Sequence, residues 1–386
     1  MRGLASAFRM HRLSRTTRPL LLCALALGLH TAAAGAQQAG VHPADEAAFA
    51  LAIGVKKAGL AEGPGWQVWS DEPRLAADLG RQIAKAALLA EEMLGTGLPP
   101  ETSLRIVVLD GEQTLGAYFP LAQKDAAARK ASPPDAAFLA GVVGNGSGLW
   151  TNPPLLLVNS KLLHGNMLDT RAIHDLGAVF ARYACSPWGG DPPEFLQEGF
   201  AGVLMRLSLK RPAGLVSHQG AALTERIHGY GVFAGISGAN DSSNESSVWP
   251  SLLRTVVKQM RKDQAVDPKA RIDALLRRTA AEFARLDYAY SWGAVAFLTD
   301  PQEPYGADAL AAAASKAKRA TEPLENSRRT GLHKVLAELR QPDHAALPTA
   351  ARAELLVQLL LHEYGEDPDG LHEGFMSWVE TGMPKK

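Results

Sequence analysis

Ala172-Ile173-His174-Asp175-Leu176-Gly177-Ala178, followed by Pro193-Glu194-Phe195-Leu196-Gln197-Glu198-Gly199-Phe200-Ala201, are the two stretches on which the expected fold turns. Both read as helices. The second has a start signal in Asp191-Pro192-Pro193-Glu194: an N-cap, early prolines and an N3 glutamate. Glu198 falls one turn further in, where it lines a helix face. Gly177, Ala178 and Ala181 are small enough to let a neighbouring helix approach closely. Taken one at a time, the polar residues have plain readings. His174 is a packed or capping histidine and Asp175 a solvated helix residue. Cys185 is an inert buried thiol.

The first segment sets the expected compartment. Arg2, Arg9, Arg12, Arg15 and Arg18, with no acids among them, lead into an apolar run from Leu20 to Leu29, and Ala34-Gly35-Ala36 follows. Basic, apolar and small in that order is a secretory signal peptide, residues 1–36. The run is shorter than the ~20 residues of a membrane-spanning helix, and Leu22 before Cys23 is too large for a lipoprotein site. The expected product is exported, periplasmic or extracellular, without stable membrane insertion. It keeps Cys185 as its one cysteine of the 2 in the chain, so no internal disulfide forms. Forty basic residues less these five arginines leave 35 against 40 acidic, a formal charge of −5. That mildly acidic balance argues against nucleic acid as a partner.

Along the chain, residues 37–62 read as an irregular lead-in with one short helix, and Trp66–Trp69 as a short strand. Leu75, Leu79, Ile83, Leu88 and Met93 mark a helix stopped by Gly95 and Pro99-Pro100. Leu104–Leu109 is a buried strand, Gln113–Phe119 a helix, and Lys124–Pro134 a polar loop or short helix. Phe138–Val143 and Leu155–Val158 read as strands joined by a turn at Asn145-Gly146-Ser147-Gly148. After the two quoted helices come a polar loop at 238–247 and helices near 249–262, 270–285, 289–299, 307–320, 332–339, 350–364 and 371–380. A small N-terminal β-sheet with helices, then a mostly helical remainder, is an α+β arrangement.

The spacing of the two stretches has a chemical meaning. Two histidines four residues apart on one helix point at the same ion, a glutamate beside the first polarises a bound water, and a third ligand arrives from a later helix. Here His174 holds the first ligand position and Asp175 that of the base. Ala178 stands where a second histidine belongs, and Glu198 follows it by twenty positions. With Phe195-Leu196-Gln197-Glu198-Gly199-Phe200-Ala201 and Tyr288-Ala289-Tyr290-Ser291-Trp292-Gly293-Ala294, the chain resembles the gluzincin (peptidase MA-like) zinc metallopeptidases over residues 63–300, with a degenerate HExxH motif. A helical region at 301–386 lies beyond the resemblance.

The resemblance implies a zinc site of His174 and Glu198, with Asp175 as general base and Tyr288 and Tyr290 as oxyanion donors; without it, the two tyrosines read as core packing. The departures oppose activity. One ligand is worth on the order of 3 kcal/mol of a structural zinc's ~10–16. Shortening a base by one carbon, ~1.5 Å, costs about 100-fold or more. The expectation is a catalytically inactive pseudo-peptidase with no cofactor, serving as a scaffold or binding module for a polypeptide or cell-envelope component. The alternative is an active zinc metallopeptidase with a borrowed third ligand, His164, His218 or His228, and Asp175 as base. The pairs His362-Glu363 and His372-Glu373 are followed at the ligand spacing by Glu366 and Met376, so neither completes the motif.

Overall fold

The computed structural model describes residues 43, 45–99, 104–186, 192–209, 249–250, 253–258, 261, 271–279, 282–283, 285–299, 328–364 and 367–383. The signal segment, His218, His228, the loop at 238–247 and the helix expected at 307–320 lie outside these. The class is α+β, with a five-stranded mixed sheet and mostly helical structure around and after it. None of the described helices is long and apolar enough to cross a membrane.

The sheet order is β1 (Gly59–Gly63), β2 (Trp66–Ser70), β3 (Leu104–Leu109), β5 (Pro154–Asn159), β4 (Ser147–Thr151). The central pairs β2–β3 and β3–β5 are parallel, and the two edge pairs are antiparallel. The parallel centre explains why β3 and β5 are almost continuously apolar: both of their faces are covered. Side chains alternate between the two faces. Ile106, Val108, Leu156 and Val158 join the core under α2 (Pro73–Leu94) and α5 (Asn166–Cys185). Val107, Leu109, Leu155 and Leu157 meet Phe49 of α1 (Glu46–Ile53) and Leu115 and Tyr118 of α3 (Glu112–Ala128) on the other face.

Several local expectations fail for physical reasons. The lead-in is not irregular throughout, because α1 is followed by β1, whose register against β2 pairs Leu60 with Trp69 and Glu62 with Gln67. Gly59, Ala61 and Gly63 weaken the strand signal, since only pairing to β2 supports them. Phe138–Val143 is not a strand. It lies within helix α4 (Ala136–Asn145), where Asp135 caps the start by accepting from the Phe138 N–H, and Gly146 ends it in the left-handed region at φ 89°. A short apolar run has no period that separates the two states, and the cap decides it. The hairpin strand is instead β4, so the tight turn falls at Asn152-Pro153 rather than at Asn145–Gly148. Within α2, Leu79, Ile83 and Met93 are buried as expected, but Leu88 points outward, 68% exposed. At five residues past Ile83 it has rotated off the apolar face. Helix α3 runs through Pro120 to Ala128, and the helix expected at 270–285 shrinks to Ile272–Leu275.

Helix α6 (Glu194–Leu209) crosses α5, and α7 (Arg285–Thr299) packs on α6. Both contacts depend on glycine. A Cβ at Gly177 would lie 2.8 Å from the Ala201 Cα, and one at Gly199 would lie 2.2 Å from the Ser291 carbonyl oxygen. The later helices α8 (Arg328–Leu339), α9 (Thr349–Tyr364) and α10 (Pro368–Ser377) bury Leu336, Leu360 and Phe375 in the core that also holds Leu176 and Phe200. Phe297 of α7 lies 5.9 Å, centre to centre, from Phe375 and 6.0 Å from Trp378.

Gly199→Ala is expected to destabilise the protein by about 1–3 kcal/mol, because the new methyl meets backbone rather than a movable side chain. Gly116→Ala in α3, where an added Cβ meets nothing within 4 Å, should instead stabilise by up to about 1 kcal/mol. Denaturant unfolding of the two variants measures both, and equal effects would contradict the close α6–α7 approach.

Candidate functional site

The α5–α6 crossing buries a set of ionisable side chains. His174 is 2% exposed, Asp175 0%, Arg171 2% and Glu198 8%. Arg171 and Asp175, four apart on α5, share a face, and the arginine Nε donates to the Asp175 Oδ2 at 2.7 Å. The other carboxylate oxygen of Asp175 lies 3.2 Å from His174 Nδ1. His174 Nε2 lies 3.3 Å from the Glu198 Oε2, reached across the helix crossing. The order in space is Arg171, Asp175, His174, Glu198.

Charge decides the state of the imidazole. Burial by itself would lower its pKa, since it penalises the cation. The nearby Glu198 charge and the Asp175 hydrogen bond outweigh that and raise it to about 9. At neutral pH the ring is therefore an imidazolium that donates from both nitrogens, long at 3.2 and 3.3 Å but charge-assisted. With the guanidinium, two cations face two carboxylates within this set. That is how four buried ionisable groups are tolerated.

These residues do not fit a three-ligand zinc site. The 3.3 Å between His174 Nε2 and Glu198 Oε2 is also about the edge of a tetrahedron with ~2.0 Å metal bonds, so separation alone does not discriminate. Donor count does. Ala178, one turn after His174, presents only a methyl and is 3% exposed. Asp175 occupies the opposite ring nitrogen and does not converge with Glu198. Among the described residues, no group of three or more His, Cys, Asp or Glu side chains is placed to hold a metal ion. His164 lines a separate cleft beside Asp71 and Asp110.

The two tyrosines of α7 part company. Tyr288 is half-buried, and burial, with the charges of Glu198 and Glu194 in reach, pushes its phenol pKa up. It stays neutral, and its ring packs edge-on against Phe283 at 5.5 Å. Tyr290 is 3% exposed, and its ring lies 6.0 Å from Phe375 in the C-terminal aromatic cluster. Cys185 is buried, and burial drives its thiol up to about 12, consistent with an inert group. The plain reading of Asp175 as a solvated residue is overturned, because the carboxylate is fully enclosed and paired. Arg171 had escaped notice in the sequence, although its four-residue spacing to Asp175 was there to be read.

Comparison of the chain with protein-family models, with curated proteins and with solved structures returns no match.

The raised His174 pKa ties stability to pH. The native state holds the imidazole proton more tightly than the unfolded chain, whose histidine titrates near 6.5. The stabilisation is therefore fully present below pH 6.5 and is lost as pH rises through about 9. The free energy of unfolding is expected to fall by on the order of 2–3 kcal/mol across that window, and His174→Gln should remove most of the fall. Urea unfolding at stepped pH measures it; a stability that rises with pH, or a decline unchanged in the variant, would contradict the assignment.

Proposed function

We propose that this chain is an exported pseudo-peptidase of gluzincin descent, in which an ion-paired network occupies the place of the metal centre, and that it works as a scaffold or polypeptide-binding module of the cell envelope. The observation that carries the reading is the buried, ion-paired set Arg171–Asp175–His174–Glu198, in which both ring nitrogens of His174 face a carboxylate. The Asp175 carboxylate is committed to Arg171 and the His174 ring, and a base so engaged is poorly placed to polarise a water. Support for the descent comes from the order of elements: β3, α3, the β4–β5 hairpin, α5 bearing His174, and α6 bearing Glu198-Gly199.

The second reading, an active zinc metallopeptidase with a non-standard third ligand, rests on the His174 Nε2 to Glu198 Oε2 separation, which would suit a shared ion, and on Tyr288 within the field of Glu198. It requires neutral His174 and a donor beyond those described. Deprotonating an imidazole with a pKa of about 9 at pH 7 costs roughly 3 kcal/mol before any metal bond forms.

Elemental analysis after purification from zinc-supplemented medium separates the two. Well under one zinc per chain is expected. Ala178→His, which returns an imidazole to the same helix face, should raise zinc affinity by roughly two decades. One tightly held zinc in the unaltered chain, with chelator-sensitive cleavage of an unstructured polypeptide that His174→Ala abolishes, would establish the second reading instead.

A further inference from the structure

Among the described residues, part of the face of α2 turned away from the core is exposed. Between this helix and edge strand β1 runs a groove of about 560 Å³, walled by Ala61 and Glu62 on the strand side and by Gly80, Ala84 and Leu88 on the helix, with Phe180 of α5 among its lining. Leu88 stands at its rim, 68% exposed. A single exposed leucine needs no explanation. Here, however, it adjoins an apolar groove with small residues in its walls, and charged residues lie along the same stripe.

That stripe reads Arg81, Ala84, Leu88, Glu91, at spacings of three, four and three. These spacings put the four side chains on one stripe of the helix surface, with two apolar residues at its centre and a charge at each end. The stripe is also self-complementary about position 86: Ala84 and Leu88 lie two residues to either side, and Arg81 and Glu91 five. Against an antiparallel copy of itself, the stripe places each leucine opposite the partner's alanine and each arginine opposite the partner's glutamate. Like elements would meet unlike ones at every layer, the condition for a two-fold interface that uses one patch twice.

We infer that α2 is a homodimerisation surface, the occupant of each groove being the Leu88 edge of a second copy of this chain. Charge complementarity selects that occupant. Arg81 is paired within its own chain to Asp78, and both side chains are largely exposed, at 72% and 65%. Such a pair is weak and leaves the guanidinium free to exchange to Glu91 of the second copy. The β1 edge contributes less, because the Leu60 N–H already donates to the Glu46 carboxylate at 2.8 Å. The contact is therefore chiefly helix on helix rather than a continued sheet.

Sedimentation velocity of the purified chain over about 1 to 100 µM tests this. A concentration-dependent monomer–dimer equilibrium is expected. Leu88→Glu should weaken it at least tenfold without loss of helical content, since the side chain is exposed. Arg81→Glu should weaken it also, and Arg81→Glu with Glu91→Arg should restore it. A monomer throughout the range would overturn the proposal. So would a dimer indifferent to Leu88→Glu, a charge exchange that fails to restore association, or protection of Leu88 only by a different protein.

Discussion

The pairing of opposite charges inside the α5–α6 crossing is the constraint on which the rest of the structure depends. Four ionisable groups sit where water does not reach, and an unpaired charge there would cost several kcal/mol. Arg171 and protonated His174 balance Asp175 and Glu198. In the metal centre that the proposed descent implies, the positive charge would come from the ion. Here a proton on His174 and a guanidinium four residues upstream supply it. The two solutions exclude each other at one atom, because His174 Nε2 cannot hold a proton and a metal together.

The fold serves that constraint by bringing helices unusually close. Gly177 lets α6 press on α5, and Gly199 lets α7 press on α6 against the Ser291 carbonyl. Glu198, next to Gly199, is carried within reach of His174 by the same approach. Beneath α5 the parallel centre of the sheet, β2, β3 and β5, provides an apolar floor in Val68, Ile106, Val108, Leu156 and Val158. The C-terminal helices share this core, with Phe375 and Trp378 against Phe297.

Much of this was legible in residue order. Strand β3 falls at Leu104–Leu109 as its apolar run and terminal Asp110-Gly111 require, and α5 and α6 carry His174 and Glu198 as read. Helix α4 was misread because the six-residue apolar run Phe138–Val143 has no decisive period, and the deciding feature, the Asp135 cap, is one residue. Strand β1 was missed because Gly-Leu-Ala-Glu-Gly has little strand character until β2 pairs with it. The state of Asp175 was not legible for another reason. A charged residue on a helix is solvated unless a neighbouring element covers it, and the close approach of α6 to α5 at Gly177 is not legible from α5 alone. Arg171 was the available clue, since a basic residue four before an acidic one on an otherwise buried face marks a paired site.

At the centre of the site, His174 is a doubly donating imidazolium bridging two carboxylates. Nitrogen NMR of its ring, assigned by loss of the signal in His174→Gln, reads this directly. Both ring nitrogens should be protonated at pH 7 and should lose a proton only near pH 9, with no change on adding one equivalent of zinc. A neutral ring at pH 7, or an Nε2 resonance that shifts to a bound position with stoichiometric zinc, would contradict it.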